Sequence, residues 1–343
     1  MRALVKTARG PGQLSLQTIP DPVPGPGEVV IAVAGCGICG TDLHIESDEY
    51  ASVPPVVLGH ETAGHVAAVG EGVDQVGVGD RVTTQTFFSV CGACSRCRAE
   101  QPNLCAKRRS IGTHVDGAFA QYVKVPDHRV LPLPEGLDTI AAAMTEPVAC
   151  CTHGILDFAQ PEPGDVAIVS GPGPMGLVAA QVARAAGAEV VLLGTSTDER
   201  RLEIGKQVGI PHVLDMEQDA VDDITADLTD GQGAQLVIEC AGAAPSFDQC
   251  VRLAQPGGTM LQIGLYGQKV HVDLDAAIIK ELSLFGSFGQ VPSAWTRALD
   301  LMAAGKVQTA PLITAVLPLT QWEDGFSAAR AKSDGKVVLT PEG

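Results

Sequence analysis

The chain has no apolar run near the roughly 20 residues that a membrane-spanning helix needs, so a membrane-embedded protein is not expected. Its N-terminus, Met1–Gln13, alternates basic, apolar and Gly/Pro residues without the apolar core of a secretory signal. A cytoplasmic location is the expectation. Basic residues are scarce: 23 Lys and Arg stand against 40 Asp and Glu, a formal charge of −17. Nucleic-acid and anionic-membrane partners need clustered Lys and Arg, and neither is expected here. There is no internal repeat and no low-complexity segment. Nor is there the cysteine spread of a disulfide framework. Ten cysteines are present, but four crowd into Cys91–Cys105 and the rest are dispersed through apolar or Gly-rich sequence. In a cytosolic chain, clustered cysteine binds metal more often than it bridges.

What remains is a globular composition, 45% hydrophobic and 18% charged, over 343 residues, a length that fits two domains. The first ~150 residues hold short β-branched runs at Glu28–Ala34, Val56–Leu58, His65–Val69, Arg81–Thr84 and Phe119–Val125. Turn signals such as Pro24-Gly25-Pro26-Gly27 and Gly77–Asp80 separate them closely. That spacing predicts an irregular, mainly antiparallel β domain. Past Pro161–Asp165 the texture changes. Apolar strands are predicted at Val166–Ser170, Glu189–Leu193, Val213–Leu214, Gln235–Glu239 and Thr259–Ile263, alternating with helices at Met175–Ala186 and Asp198–Val208. Continuously apolar strands alternating with helices imply a parallel sheet covered on both faces, running to about Phe288. The last ~55 residues hold a helix, Ser293–Ala304, and strand-like runs at Leu312–Leu317 and Lys336–Leu339. They are too few for a domain of their own and are expected to rejoin the first one.

Three motifs carry chemistry. Cys91-x2-Cys94-x2-Cys97-x7-Cys105 lets one loop offer four thiolates to a tetrahedral zinc. A site closed in that way has no open position for substrate, so its role is structural. Four reduced cysteines in a loop, or an iron–sulfur cluster, are the alternatives. A catalytic zinc instead needs three protein ligands and one open position. Cys39 and His60 supply a thiolate and an imidazole, and Glu61 or Glu146 a carboxylate. Cys36 and Cys39 could otherwise form a redox dithiol, but no thioredoxin-like context surrounds them.

The third motif is Gly171-Pro172-Gly173-Pro174-Met175-Gly176, which follows a predicted strand and opens a predicted helix, the context of a dinucleotide-binding turn. Gly171 makes the turn, Gly173 lets the backbone approach the pyrophosphate, and Gly176 lets helix and strand pack closely. The helix N-terminus, with Pro174 and Met175, meets the phosphate charge. An NAD site usually places an Asp or Glu about 20 residues after the last glycine. Here Ser196 stands there, with Thr197, Arg200 and Arg201 following. Hydroxyls and guanidinium suit a 2′-phosphate and point to NADP in preference to NAD. Alternatively, Arg200 and Arg201 pair with Asp198 or Glu199 on the helix surface, or Asp198 turns back to the ribose.

With these motifs in this order, the chain resembles the zinc-containing medium-chain alcohol dehydrogenases, from Gly35-Cys36-Gly37-Ile38-Cys39-Gly40-Thr41-Asp42 to Gly335-Lys336-Val337-Val338. Glu146-Pro147, a small-residue run and His153 are similar to the polyol (sorbitol, xylitol) branch; the Cys39–His44 segment is equally similar to threonine dehydrogenases. The resemblance implies an α/β fold: a GroES-like, irregular β catalytic domain at residues 1–155 and 289–343, and a doubly wound Rossmann domain at 156–288. It implies two Zn2+ per chain and a catalytic zinc on Cys39, His60 and one of Glu61 and Glu146. It further implies Asp42 orienting His60, Thr41 and His44 relaying the hydroxyl proton, and hydride transfer to the nicotinamide. The implied partners are a small-molecule substrate and further copies of the chain, as dimer or tetramer. One departure stands out: where sorbitol dehydrogenases carry an Arg-Tyr pair that contacts the polyol, this chain has Gly289-Gln290 after Phe288. A diol, a sugar phosphate, a secondary alcohol or an amino alcohol are the other substrates this leaves open. A non-catalytic relative would not keep every ligand and relay position filled. A zinc-free quinone or enone reductase would lack both cysteine motifs.

Overall fold

The computed structural model describes residues 1–332 and 334–341; Ser333, Glu342 and Gly343, inside the segment expected at 289–343, lie outside it. The N-terminal region builds a seven-stranded sheet. Its order is Val130–Pro132, Arg81–Thr84, Glu61–Val69, Glu28–Gly37, Lys336–Thr340, Ile313–Pro318, with Tyr122–Pro126 also pairing with Glu28–Gly37. Most neighbours are antiparallel, and the register shifts twice along the pairing of Glu28–Gly37 with Glu61–Val69, the irregularity expected of Gly-rich strands. The last strand crosses back from the far end of the chain: Val338 opposes Gly37 and Leu339 opposes Cys36. Two elements the sequence reading does not assign, Arg2–Lys6 and Leu14–Thr18, form an antiparallel ribbon beside Val56–Val57.

The middle of the chain forms six parallel strands in the order His212–Asp215, Glu189–Gly194, Val166–Ser170, Ala234–Glu239, Ala254–Gln262, Ser283–Gly286. Counted from Val166–Ser170, that order is 3-2-1-4-5-6, the doubly wound arrangement whose ligand crevice lies where the order reverses. Strand periodicity explains the continuous apolarity. Ala167, Val169, Val190 and Leu192 enter the core on one face, with Leu177, Val178 and Trp295. Val166, Ile168, Val191 and Leu193 enter the other, with Cys250 and Val251. The expected α/β architecture is borne out.

The helix Thr145–His153 and the helix Pro292–Ala303 pack on the first of these faces, through Val148, Cys151, Trp295 and Ala298. They therefore join the parallel sheet to the β region. No helix among the described residues is long and apolar enough to cross a membrane.

Candidate active site

Cys39 sits just ahead of the helix Gly40–Glu46, and Asp42 in its first turn closes a capping box: Asp42 Oδ2 accepts from the Cys39 amide at 2.9 Å. The other oxygen, Oδ1, accepts from the Gly59 amide at 3.3 Å and lies 3.7 Å from Nδ1 of His60. One fully buried carboxylate thus bridges the backbone at Cys39 and Gly59 and faces the imidazole of His60. Only glycine fits at 59, where φ is +88° and a Cβ would stand 2.8 Å from the Cys36 sulfur and the Phe119 ring. Glu61 opens the next strand opposite Gly37, and a Cβ on Gly37 would come within 2.2 Å of Glu61 Oε2. Glycine at 37 makes room for that carboxylate.

The outcome is that ligand atoms of Cys39, His60 and Glu61 lie within 4.8 Å of one another. Burial pulls the His60 pKa down, but the Asp42 charge 3.7 Å away and the Cys39 sulfur outweigh it and hold the imidazole well above its usual range. A thiol, an imidazole and a carboxylate, steered by a second-layer Asp, are a donor set that fits zinc with a position left over.

Glu146 stands apart from that group. It lies in the first turn of the helix Thr145–His153, buried, and its Oε1 accepts from Gln290, from Thr86 at 3.4 Å and from the Cys150 thiol at 3.6 Å. Burial raises its pKa to about 7; the nearby Glu61 pushes the same way, while His60 and Lys336 oppose it. Lys336 is a residue that sequence reasoning missed. It is buried and donates to Glu61 Oε1 at 2.7 Å and to the Ile38 carbonyl at 3.0 Å. A lysine heading the apolar run Val337-Val338-Leu339 was the available signal.

Thr41 is half-buried on the helix Gly40–Glu46, and His44 lies one turn further along the same face. His44 Nδ1 is 2.7 Å from Glu49 Oε2, and its ring bears on Gly267 of the parallel-sheet half, where a Cβ would come within 3.1 Å of it.

The four cysteines of the predicted lobe converge. Sulfur separations are 3.8 Å for Cys91–Cys97, 3.5 Å for Cys94–Cys97 and 3.7 Å for Cys105–Cys91. A tetrahedron with Zn–S of about 2.3 Å has edges of about 3.8 Å, so the group fits the ion. The Ala93 and Cys94 amides lower the Cys91 pKa to about 6, whereas burial and neighbouring sulfurs raise Cys97 to about 12. All ten cysteines are unpaired.

At the reversal point of the parallel sheet, Gly171 turns with φ +99°, and a Cβ there would meet the Ala241 amide at 2.6 Å. A Cβ on Gly176 would strike the Gly171 carbonyl at 1.8 Å, while Gly173 has open space above it. The 12-residue helix Pro174–Ala185 begins without a side-chain cap, which leaves its first amides for an anion. The cradle fits a pyrophosphate. The helix Thr145–His153 connects it to Glu146, since the Cys151 thiol donates to the Met175 carbonyl at 3.4 Å.

Beyond the next strand, Ser196, Thr197 and Arg200 are exposed, but Arg201 is not brought to them. Arg201 is buried, donating to the Asp334 carbonyl at 2.7 Å and pairing with Asp198 at 3.4 Å; the surface pairing considered for it becomes an inward one. Arg200 pairs with the Asp334 carboxylate. Ser196 donates to Asp215 Oδ2 at 2.7 Å, an acid that lies too far along the sequence to be counted as the usual ribose partner.

A doubly wound dinucleotide cradle beside a thiol–imidazole–carboxylate pocket and a separate four-cysteine lobe defines a zinc-dependent nicotinamide oxidoreductase. The chain belongs to the zinc-containing medium-chain alcohol dehydrogenase family. Residues 25–135 match the alcohol dehydrogenase GroES-like domain and residues 174–304 the zinc-binding dehydrogenase domain. A sorbitol dehydrogenase of Halalkalibacterium halodurans is 41% identical over 99% of both chains. An L-threonine 3-dehydrogenase of Saccharopolyspora erythraea is 38% identical over 99% of this chain and 98% of that one. Among solved structures, a zinc-binding dehydrogenase of Sinorhizobium meliloti bound to NADP superposes with a TM-score of 0.89 at 35% identity, covering 99% of both chains.

Proposed function

We propose that this enzyme transfers a hydride between a secondary hydroxyl of a polyol-like substrate and NADP, with two zinc ions per chain. The convergence of Cys39, His60 and Glu61 carries the reading, since a three-ligand set leaves one position for a hydroxyl. Cys39, His60 and Glu61 would hold the catalytic ion, with Glu146 as the second available carboxylate; Cys91, Cys94, Cys97 and Cys105 would hold the structural ion. Zinc in the first site supplies Lewis acidity that eases loss of a hydroxyl proton. Asp42 orients His60, Thr41 takes up the hydroxyl's hydrogen bond, and His44, its ring held by Glu49, passes the proton to solvent. The turn Gly171–Gly176 seats the pyrophosphate and so aligns the nicotinamide with the carbon that gives up hydride.

Polyol rests on Glu146-Pro147 and on the sorbitol dehydrogenase relative. Threonine is the second substrate reading, from the threonine dehydrogenase relative. NADP rests on Ser196, Thr197 and the exposed Arg200. The contact of Ser196 with Asp215 favours NAD instead, because a carboxylate there suits a ribose diol and repels a 2′-phosphate.

The domain division at 1–155 with 289–343, and 156–288, is part of the same proposal, as is a cytoplasmic homo-oligomer, dimer or tetramer. The edge strand Ser283–Gly286 is exposed along its whole length, Leu284 and Phe285 included, with Ile278 and Ile279 uncovered nearby. An open apolar edge of this kind calls for a partner.

A spectrophotometric panel of polyols, diols, simple alcohols and threonine, each with NAD and with NADP, tests substrate and cofactor together. Turnover confined to polyols with NADP is the expected result. Turnover of threonine alone would replace the substrate assignment, and no turnover of any alcohol would remove the function.

A further inference from the structure

Gly289-Gln290, the pair that departs from the sorbitol dehydrogenase pattern, connects two regions that the chemistry above treats separately. Asn103 lies inside the four-cysteine lobe, 3% exposed, and its Nδ2 donates to the Phe288 carbonyl at 2.8 Å. Arg108, just beyond Cys105, places its guanidinium 5.1 Å from the centre of the Phe288 ring and 5.5 Å from that of Phe87, and donates to the Asn103 carbonyl. The lobe therefore grips residue 288 by its backbone and by its ring. Gly289 then turns with φ +64°, its α-carbon so close that a Cβ would stand 3.2 Å from the Phe87 ring and 3.5 Å from the Asn103 Cβ.

The next residue, Gln290, is 1% exposed. Its Nε2 donates to Glu146 Oε1 and to Thr86 Oγ1, the latter at 3.3 Å, and Thr86 in turn donates to the same Glu146 oxygen at 3.4 Å. With the Cys150 thiol, three donors converge on Oε1. Among the described residues no hydrogen bond is made to Oε2. A buried carboxylate with no cation in contact takes its direction from its donors. Gln290 is the donor that reaches it from farthest along the chain.

We infer that Gln290 is a positioning residue that fixes the carboxylate of Glu146 beside the Cys39–His60–Glu61 pocket, and that the four-cysteine lobe holds Gln290 in place through Asn103 and Arg108 on Phe288. The inference rests on the reading of that pocket as a metal site. It gives the lobe a task besides stability: loosening it disturbs the metal environment from outside the ligand set.

The test uses Co2+ in the catalytic pocket with zinc retained in the lobe, and follows the visible absorption bands of the cobalt and its affinity. Gln290→Leu is expected to shift the bands and weaken Co2+ about 10- to 100-fold, the usual cost of losing an outer-layer partner. Asn103→Ala, which touches neither Glu146 nor the pocket, is expected to shift the bands in the same sense and to weaken Co2+ about 2- to 10-fold, the yield of one hydrogen bond. Thr86→Val removes the hydroxyl that links Gln290 to the same carboxylate oxygen and serves if Gln290→Leu does not fold; lobe zinc content and Tm verify folding in each variant. A purely structural Asn103 would lower Tm and leave the bands where they are. Unchanged bands in folded variants would overturn the inference alone. Wild-type protein lacking any cobalt band that Cys39→Ser abolishes would overturn the metal reading, and this inference with it.

Discussion

The ammonium of Lys336 lies 2.7 Å from Oε1 of Glu61, with both side chains buried and the Ile38 carbonyl as the lysine's other acceptor. Burial alone would pull the lysine's pKa down; Glu61, Cys39 and Glu146 outweigh it and hold it above the ordinary value. Breaking a buried pair from one side leaves the other charge stranded, at a cost of about 3–5 kcal/mol. Lys336→Met is therefore expected to destabilise the metal-free protein by about that amount. A zinc ion beside Glu61 would offset part of it, so the zinc-loaded variant should lie nearer the wild type. Urea midpoints with and without zinc measure both, and equal losses in the two states would contradict the account.

Zinc uptake at the catalytic pocket should weaken as pH falls. A metal binds the neutral imidazole only, and His60 has its pKa raised above the ordinary 6.5 by Asp42 and Cys39 against the pull of burial. Below that raised value the proton is bound and must be expelled, which costs about tenfold in apparent affinity per pH unit. Competition with a chromophoric chelator between about pH 8 and about pH 6 reads the slope. A flat profile would show that no proton leaves the pocket.

Metal analysis of carefully prepared protein should find about two zinc ions per chain, and mild chelation should remove one of them first. The survivor is assigned to the lobe, whose sulfurs already stand 3.5–3.8 Å apart and leave no open position. One ion or none would remove the two-site assignment.

Cys39→Ser should abolish turnover and leave dinucleotide affinity nearly intact, because the cradle at Gly171–Gly176 is formed by a different part of the chain. Binding of the reduced dinucleotide, followed by fluorescence, separates the two. A variant that no longer folds would give Cys39 a structural role instead.

Arg200→Ala should weaken NADP by about tenfold or more, the worth of a charge-assisted phosphate contact, and change NAD by less than about twofold. Arg201→Ala should instead lower Tm, since that guanidinium is buried against Asp198 and the Asp334 carbonyl. NADP affinity insensitive to Arg200 would transfer preference to NAD through Asp215.

The motifs legible in the sequence are those in which chemistry and spacing coincide. Four cysteines within one loop, and glycines between a strand and a helix, are brought together by local backbone geometry whatever the rest of the chain does. The strand predicted at Val166–Ser170 is found over the same residues, and the helix predicted at Met175–Ala186 spans Pro174–Ala185. Their signals, continuous apolarity and a glycine turn, are local too. Arg2–Lys6 was not legible because its strand character comes from its partners, Leu14–Thr18 and Val56–Val57.

By itself the sequence determined the donor types, the four-cysteine lobe, the dinucleotide turn and the alternation that makes a doubly wound sheet. The tertiary structure alone decided that the Glu61 carboxylate lies beside Cys39 and His60, through the pairing of Gly37 with Glu61, and that three donors hold Glu146. It also set Lys336 on Glu61, turned Arg201 inward and tied the lobe to Gln290. Each of these depends on contacts between residues tens to hundreds of positions apart, whose register is settled by packing and burial, and spacing along the chain carries no record of that.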